Sequence, residues 1–350
     1  MMEIQINNKI IGGTHPVFFI AEAGVNHNGD VELAKKMVDV AVEAKADAIK
    51  FQTYKTEGVM IRKTPKAAYQ VDDTHPDENF FDMAKKIELP FEIYKELKNY
   101  CEKKNIIFLS TPFCFDSADY LEKIGVAAFK ISSGDFVNYP FLEHVIKKGK
   151  PMLISSGTAS IEEVRETMNF VHSRHCEKIV LFHCTSSYPT PYEDVNLNVI
   201  ESYLKEFPGI PIGFSDHSIG TLAGALAVAK GAKVIEKHFT MDKKLIGPDH
   251  KASLDPPELK AYIENIRLAE RMMGSAVKKM TDVEKNVREI ARKSVVSKVN
   301  LKKGTLLSTN NITVKRPGTG IPAKFFDQVI GKRLKNDVDA DSIITWNDIE

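Results

Sequence analysis

The sequence is poor in cysteine. Its 350 residues include only four, at positions 101, 114, 176 and 184, and these are widely separated and form no CxxC pair. Such spacing argues against the disulfide framework of a small secreted protein and against a thiolate metal site. We therefore expect four reduced thiols.

An excess of charge of one sign is also lacking, since 48 lysines and arginines stand against 47 aspartates and glutamates and leave a net charge of +1. Holding nucleic acid or an anionic membrane surface requires a clear positive excess. No apolar stretch approaches the roughly 18 residues of a membrane span, and the first ten residues do not read as a signal peptide. These absences predict a cytoplasmic protein with a small-molecule ligand and with no nucleic acid or membrane partner.

What the sequence does have is a repeated unit: a short apolar run, a polar turn and an amphipathic helical stretch. The clearest helix begins after Asp30, which we expect to be its N-cap, with Leu33, Ala34, Met37 and Val38 on one stripe. The unit occurs eight times, with predicted strands at 17–24, 48–52, 106–112, 128–134, 152–157, 179–184, 211–217 and 233–239.

Continuous apolar strands that alternate with helices indicate a parallel sheet covered on both faces. Eight units favour closure into a (β/α)8 TIM barrel over the alternative, an open doubly wound sheet. Polar residues at the C-terminal ends of nearly all the runs support the barrel, because barrel enzymes build their active sites there. We predict the α/β barrel as a catalytic domain over residues 1–275.

The composition and the pattern of apolar residues change after the barrel. Residues 276–290 are charged and poor in large apolar side chains, which predicts a linker. From residue 291 to residue 350 short apolar pieces alternate with Gly and Pro turns, which predicts a small β-rich domain.

Two histidines stand at the ends of neighbouring predicted strands. Adjacent strands lie about 4.8 Å apart, so His217 and His238 can converge on one ion. Two neutral imidazoles with an open coordination position suit Mn, Fe, Co or Zn and Lewis-acid activation of a carbonyl. The alternative is that each is a hydrogen-bonded barrel histidine, as we expect for His183 within its strand.

Carboxylates and ammonium groups share the same end of the barrel. Glu22 and Glu236 come from strands that closure makes neighbours, and they could act as general base or orient an imidazole, or could pair with a lysine. Lys50 and Lys130 point inward by strand parity, without an equal number of nearby carboxylates, which predicts an anion site. A Schiff base or a salt-bridged rim would also explain the lysines. The hydroxyl groups expected beside them belong to Thr111, Ser132, Ser133, Ser155 and Ser156.

The residues in these strands match a known family. In order and spacing the chain resembles the sialic acid synthases, which make N-acetylneuraminate, legionaminate and pseudaminate, and the likeness extends over almost the whole chain. The C-terminal segment ARKSVVSKVNLKKGTLLSTNNITVKRPGTGI resembles the family's antifreeze-like (SAF, β-clip) domain. The barrel segments that carry the likeness are FFIAEAGVNHNGD, AIKFQTYK, FLSTPF, FKISSGD, HCTSSYPTPYEDVNL, GFSDHSIG, VIEKHFT and GPDHKASLDP.

The resemblance implies a transferase that condenses phosphoenolpyruvate with an N-acetylmannosamine-type aldehyde and water, and releases phosphate. It implies a divalent metal on His217 and His238, with Mn²⁺ expected and Mg²⁺ or Co²⁺ as alternatives. The residues implied for phosphoenolpyruvate are Lys50, Thr111, Lys130, Ser133, Ser155 and Ser215. Those implied for the sugar site or for positioning water are Glu22, Gln52, Asp135, Tyr188 and Asp249.

The resemblance also implies a domain-swapped homodimer, because Arg316 matches an arginine that reaches the partner subunit's barrel. A guanidinium suits the N-acyl carbonyl of a sugar, whereas an exposed arginine after a lysine can also be merely solvated. Three departures from the family pattern, Asp135, Ser186 and the segment 155–158, leave open which amino sugar is used. Two other classes also stay open: a metal-dependent aldolase or isomerase that does not use phosphoenolpyruvate, and a non-enzymatic binding protein.

Overall fold

The computed structural model describes residues 2–67, 70, 71, 74 and 78–350. The chain divides into two compact units, Met1–Gly274 and Ser275–Glu350. Each unit has its own apolar core.

Eight parallel strands form the sheet of the first unit, in the order β5-β4-β3-β10-β9-β8-β7-β6. The two strands at the ends of this order, β5 and β6, lie against each other, so the sheet is nearly closed. The predicted TIM barrel is confirmed, and each predicted run contains one strand. The strands are β3 (Phe18–Gly24), β4 (Ala48–Thr53), β5 (Ile107–Pro112), β6 (Phe129–Ile131), β7 (Met152–Ser155), β8 (Ile179–Cys184), β9 (Ile212–Asp216) and β10 (Val234–His238).

A hairpin of β1 (Ile4–Ile6) and β2 (Lys9–Ile11) precedes the barrel. Ile4, Ile6 and Ile11 are buried in one cluster with inward side chains from the first residues of the barrel strands, such as Phe18 and Val234. The hairpin thus closes the N-terminal end of the barrel, which leaves the C-terminal end for a site. Sequence analysis did not predict it, since three-residue strands carry little periodicity.

Helices cover the outer face of the sheet. In α1 (Val31–Glu43) the Asp30 carboxylate accepts hydrogen bonds from the backbone N–H groups of Glu32 and Leu33, as expected of an N-cap. The other helices whose bounds the structure describes in the first unit are α2 (Thr56–Val59), α3 (Phe80–Ile87), α4 (Phe91–Lys103), α5 (Phe115–Lys123), α6 (Tyr139–Ile146), α7 (Ile161–Ser173), α8 (Asn198–Glu206), α9 (Ala223–Ala229) and α10 (Pro256–Met273).

The second unit begins with the charged segment that sequence analysis marked as a linker, and this segment contains a short helix, α11 (Lys285–Ala291). Two antiparallel strands follow, β11 (Ser294–Ser297) and β12 (Ile312–Lys315), and then the short helix α12 (Phe326–Val329). Other pieces of the predicted β-rich module form only isolated bridges, such as Leu306 with Arg333. Within the described ranges, no helix combines the length and apolarity needed to cross a membrane.

Candidate active site

A polar cavity of about 460 Å³ opens at the C-terminal ends of the barrel strands. Every strand of the barrel contributes residues to its walls. His217, the residue just after β9, also lines the cavity. The predicted site residues that line it are Glu22, Lys50, Gln52, Thr111, Lys130, Ser132, Ser133, Asp135, Ser155, Tyr188, Ser215, His217, Glu236 and His238.

Two lysines and two glutamates form a buried cluster at the centre of the cavity. Lys50 Nζ lies 2.9 Å from Glu22 Oε2 and 3.5 Å from Glu236 Oε1, and Lys130 Nζ lies 3.3 Å from Glu236 Oε1. The expectation that the lysines outnumber nearby carboxylates was wrong. Strand parity shows that a side chain points inward, but it does not show which inward side chains of different strands meet.

The two carboxylates of the cluster differ in the direction in which their pKa values are shifted. Burial, opposed by Lys50, raises the pKa of Glu22 to about 7. Burial also acts to raise the pKa of Glu236, but Lys130 and Lys50 outweigh it, so that pKa is lowered. Because the two carboxylates interact, they titrate as a pair, in which Glu22 accepts a proton before Glu236.

The pKa values of the two lysines are also shifted in opposite directions. Burial would lower the pKa of Lys50, but Glu22 and Glu236 outweigh burial and raise it. For Lys130 burial prevails, and its pKa is lowered. Lys50 is therefore a fixed positive charge, whereas Lys130 gives up its proton more readily.

Hydroxyl groups lie beside both lysines of the cluster. Lys50 Nζ donates to Thr111 Oγ1 at 2.8 Å, and Lys130 Nζ donates to Ser155 Oγ at 2.7 Å. Ser215 Oγ donates to Glu236 Oε1 at 3.4 Å. Of the other three expected hydroxyl groups, Ser133 Oγ lies 3.6 Å from Cys184 Sγ and Ser132 Oγ donates to Asp135 Oδ2, both at the cavity wall. Ser156 Oγ turns away and donates to the carbonyl oxygen of Phe182.

The two histidine rings at the cavity wall lie close together, with centroids 5.4 Å apart. His217 Nδ1 donates to the carbonyl oxygen of Thr185 at 2.8 Å, so Nε2 carries the lone pair whenever this ring is neutral. His238 Nδ1 is buried and has no hydrogen-bond partner in the described part of the chain, although Asp249 Oδ2 lies 3.7 Å away. Tyr188 packs on both rings, with its ring centroid 4.1 Å from that of His217 and 5.7 Å from that of His238.

These two imidazoles fit a divalent ion with open coordination positions. A nitrogen that carries a lone pair, a buried nitrogen without a partner and a backbone carbonyl that orients one ring are the features of such a site. In residues 2–67, 70, 71, 74 and 78–350, no group of three or more His, Cys, Asp and Glu side chains is arranged to hold a metal. The remaining ligands would therefore be water or substrate oxygens. Burial keeps the pKa of His238 well below its usual value, so this ring is neutral.

The residues implied for the sugar divide between the two units. Gln52 donates from Nε2 to Glu22 Oε1 at 3.4 Å, and Asp249 is buried beside His238. Asp135 is held at the rim by Ser132 and Asn138. Arg316 belongs to the second unit, where it is exposed just after β12.

Sequence analysis missed Cys184, which it treated only as a reduced thiol. The four cysteines are free, and Cys184 Sγ lines the cavity 3.8 Å from His217 Nδ1 and 3.6 Å from Ser133 Oγ. Burial raises the pKa of this thiol, but His217 outweighs burial and lowers it. Its position as the last residue of β8 was the available signal, because all strand ends face this cavity.

Known family models match both parts of the chain. The NeuB family model matches residues 37–278, and the SAF domain model matches residues 292–350. The chain is 43% identical to N,N'-diacetyllegionaminic acid synthase of Campylobacter jejuni, over 93% of this chain and 98% of that protein. It is 41% identical to the Legionella pneumophila protein of the same name, over 98% of this chain and 99% of that one.

Among solved structures, N-acetylneuraminic acid synthetase from Leptospira borgpetersenii superimposes with a TM-score of 0.72 at 36% identity, over 82% of this chain and 95% of the other. These matches show which family the chain belongs to. One family model spans more than half of the chain, and two relatives are more than 40% identical over nearly its full length. The chain belongs to the NeuB family of sialic acid synthases and ends in a SAF domain.

Proposed function

We propose that this protein condenses phosphoenolpyruvate with an N-acylated amino-sugar aldehyde and water to give a nine-carbon nonulosonic acid and inorganic phosphate. The observation that carries the proposal is the buried Lys50, Lys130, Glu22 and Glu236 cluster beside two imidazoles. In the reaction C3 of phosphoenolpyruvate bonds to the aldehyde carbon, whose oxygen takes up a proton. Water supplies the oxygen that remains on C2 while the phosphate ester is lost.

Lys50 and Lys130 would hold the phosphate and carboxylate groups, since charge-assisted bonds in a dry site are strong. Protonation of Glu22 on anion binding would offset one of the negative charges that phosphoenolpyruvate brings to the cluster. The pKa of Glu22, about 7, suits a group that moves a proton near neutral pH, so we assign it the proton transfer. Glu236, held between two ammonium groups, stays ionised and orients them.

His217 and His238 would hold a divalent ion, Mn²⁺ in the first place, which when bound polarises the aldehyde carbonyl. Tyr188 packs on both rings and fixes their orientation. Gln52 and Asp249 offer hydrogen-bonding groups to sugar hydroxyls beside His238. We further propose that the enzyme works in the cytoplasm as a homodimer, in which Arg316 of one subunit completes the sugar site of the other.

The test is release of inorganic phosphate from phosphoenolpyruvate, Mn²⁺ and a panel of N-acylated mannosamine derivatives. Phosphate should appear only when sugar is present, in equimolar amount with the new keto acid, and chelation of the metal should abolish it. Lys50→Met should lose at least about 100-fold in kcat/KM, because an oriented charge is removed from the anion. Lys147→Met, an exposed lysine on the outer surface, is the matched control. Folded protein that releases no phosphate with any sugar would contradict the proposal.

A lysine-dependent aldolase is the second candidate, because burial lowers the pKa of Lys130 and so favours its nucleophilic amine form. Such an enzyme would act without phosphoenolpyruvate. Borohydride reduction in the presence of pyruvate or a sugar would then attach a stable adduct to Lys130, detectable by mass spectrometry. An unmodified Lys130, together with turnover that requires phosphoenolpyruvate, would exclude this candidate.

A further inference from the structure

The segment that follows β10, which we call the returning segment (residues 239–254), turns back along the end of that strand. Its ends are fixed by backbone bonds: the N–H of Leu254 donates to the carbonyl oxygen of His238 at 2.9 Å, and the N–H of Thr240 donates to that of Leu254 at 2.8 Å. Residues 240–253 form no helix or strand, yet they include Asp249, which is buried with Oδ2 3.7 Å from His238 Nδ1. The course of this segment therefore decides where the Asp249 carboxylate lies.

The first side-chain anchor of the returning segment is Asn26, which lies between β3 and α1 and is fully buried. Its Nδ2 donates to the carbonyl oxygen of Phe239 at 2.8 Å and to Ser253 Oγ at 2.9 Å. Ser253 Oγ in turn donates to the backbone carbonyl oxygen of Asp249 at 2.6 Å. Because buried backbone outside helices and strands depends on such bonds, a continuous chain of hydrogen bonds fixes Asp249 to the connection that follows β3.

The second anchor is Asn28, two residues further along the same connection. Asn28 Nδ2 donates to the carbonyl oxygen of Ile246 at 3.0 Å, which leaves Oδ1 to accept from His250 Nε2 at 3.2 Å. His250 Nδ1 then accepts from the hydroxyl group of Thr240 at 2.7 Å. One amide side chain thus bonds the returning segment on both sides of Asp249.

The connection that carries the two anchors is itself fixed at both ends. The backbone N–H groups of Asn26 and Asn28 donate to the carbonyl oxygens of Ala23 and Val25, each at 2.9 Å. Asp30, which follows, caps α1. The anchors are therefore held by a strand and a helix, whereas the middle of the returning segment is held by the anchors.

We propose that Asn26, Asn28 and Ser253 are positioning residues of the sugar site. They hold the Asp249 carboxylate where the amino sugar would contact it, and they act through Asp249 rather than on the reacting atoms. The inference rests on the proposed function, in which Asp249 belongs to the sugar site. The lysines of the anion cluster bond groups on barrel strands, outside the returning segment. A displaced returning segment should therefore weaken sugar binding and leave phosphoenolpyruvate binding unchanged.

Ser253→Ala tests the first anchor, because it removes one hydroxyl group and with it the bond to the Asp249 carbonyl oxygen. The KM for the sugar should rise about tenfold, since a displaced carboxylate binds its partner poorly, and the KM for phosphoenolpyruvate should stay within about twofold. A serine needed only for folding would reduce the amount of active enzyme and leave both KM values unchanged, and that result would overturn the proposal.

Ser297→Ala is the matched control for this substitution. Ser297 is a buried serine of the second unit whose hydroxyl group also donates to a backbone carbonyl oxygen, that of Asp339. Its loss should change neither KM. A rise of the sugar KM in Ser297→Ala equal to that in Ser253→Ala would contradict a specific role for the returning segment.

Asn28→Gly tests the second anchor at a residue that is only partly buried and whose φ of 49° suits glycine. It removes the bonds to Ile246 and His250, so the KM for the sugar should rise about fivefold, with the KM for phosphoenolpyruvate again unchanged. Because this variant leaves the buried Asn26–Ser253 chain intact, it decides the proposal even where Ser253→Ala does not fold. An unaltered sugar KM in folded Asn28→Gly protein would overturn the role of this anchor.

A double variant shows whether the effect passes through Asp249. In an Asp249→Ala background, Ser253→Ala should change the sugar KM by no more than about twofold, because no carboxylate is left to position. A further rise of about tenfold would show that Ser253 acts by another route and would overturn the proposal. Phosphate release that fails in the unsubstituted protein with every sugar of the panel would instead contradict the proposed function itself.

Discussion

The buried histidines of this barrel differ in what their ring nitrogens contact. His183 Nε2 bonds the carbonyl oxygen of Val195 at 2.7 Å, as expected of a structural histidine within a strand. His238 Nδ1 has no hydrogen-bond partner in the described residues, and its ring faces the cavity beside His217. Replacing this ring therefore breaks no hydrogen bond made by its Nδ1 nitrogen.

We predict that His238→Ala lowers the metal-dependent rate of phosphate release by at least about 100-fold, because it removes one of only two side chains proposed to hold the ion. Its free energy of unfolding should fall only by the loss of packing on Tyr188. His183→Ala is the matched control: it leaves a buried carbonyl unpaired and should cost about 1–3 kcal/mol of stability while metal dependence persists. Full activity of His238→Ala would remove this residue from the metal site. Phosphate assays and urea unfolding measure both variants.

Strand parity explains why most site residues could be predicted from the sequence. Lys50, Gln52 and Lys130 point inward because inward side chains recur every two residues along a strand. Distances between strands are not encoded in that rule, so the pairing of Lys50 with Glu22 stayed one of several open alternatives. Tyr188 and Asp249 lie on loops, where no periodicity applies, and only the family resemblance indicated them.

The connection between β3 and α1 contains a buried histidine. His27 Nδ1 accepts a hydrogen bond from the backbone N–H of Gly29 at 3.0 Å, while Nε2 is buried without a partner in the described structure. Burial, only partly offset by Asp30, lowers the pKa of His27 to about 4. In the unfolded chain the same ring titrates near its ordinary value of about 6.5.

We predict that the protein loses stability as the pH falls from about 6.5 to about 4. In this range His27 binds a proton in the unfolded chain but not in the folded protein. Above pH 6.5 both states carry neutral imidazole, and the full stability is present. At 1.36 kcal/mol for each pKa unit, His27 alone should remove roughly 2.5 kcal/mol from pH 7 to pH 4.5. Burial also lowers the pKa of His250 to about 4, which steepens the same loss.

Urea unfolding at pH 7.0, 5.5 and 4.5 measures this effect. His27→Gln should lose about 2 kcal/mol less than the unsubstituted protein over that range, whatever its stability at pH 7. His172→Gln, an exposed position on α7, should follow the unsubstituted profile. Parallel profiles for all three proteins would show that His27 has no part in acid destabilisation.

The strands that carry the two imidazoles are joined on their outer face by a buried ion pair. Lys237 Nζ lies 3.2 Å from Asp216 Oδ2, and Tyr262 Oη of α10 donates to the same carboxylate at 2.7 Å. Lys237 and Asp216 are cross-strand neighbours, each next in sequence to one of the histidines His238 and His217. Sequence analysis did not select them, since outward positions of barrel strands are usually apolar.

We predict that Lys237→Met destabilises the protein by about 3–5 kcal/mol, because it leaves the Asp216 carboxylate buried without its counter-ion. The double variant Lys237→Met/Asp216→Asn should lose less than the sum of the single variants, since the unpaired charge is gone. Urea unfolding of all three gives the coupling. Lys243→Met, whose ion pair with Glu258 is partly exposed, should cost no more than about 1 kcal/mol. Equal costs for the two lysine variants would contradict a special role for the buried pair.

At the scale of the whole molecule, the barrel was more predictable from the sequence than the N-terminal hairpin and the second unit. Eight strand-turn-helix units define a closed barrel through repetition, and a repeated pattern tolerates errors in single elements. The β1–β2 hairpin and the mostly irregular backbone of the second unit have no such repetition. There the fold depends on tertiary contacts of the core around Val295, Ile321 and Ile344, which a single sequence does not reveal.

The proposed exchange of Arg316 between subunits makes a prediction about mixed dimers. Arg316→Ala alone should raise the KM for the sugar far more than the KM for phosphoenolpyruvate, because only the sugar would contact the guanidinium. Arg292→Ala, an exposed arginine of the same unit, is the matched control and should change neither constant.

If Arg316 acts in the partner's barrel, two defective variants should complement each other. A dimer of one Arg316→Ala chain and one His238→Ala chain has one site in which both defects meet and one site that is intact. Random exchange in an equimolar mixture makes half of the dimers mixed, so roughly one quarter of the unsubstituted rate should return. An arginine that served its own barrel would give no intact site in any dimer. Recovery is measured as phosphate release after subunit exchange, at a sugar concentration far below the KM of the Arg316→Ala variant. A mixture whose rate stays at the mean of its two components would contradict the exchange.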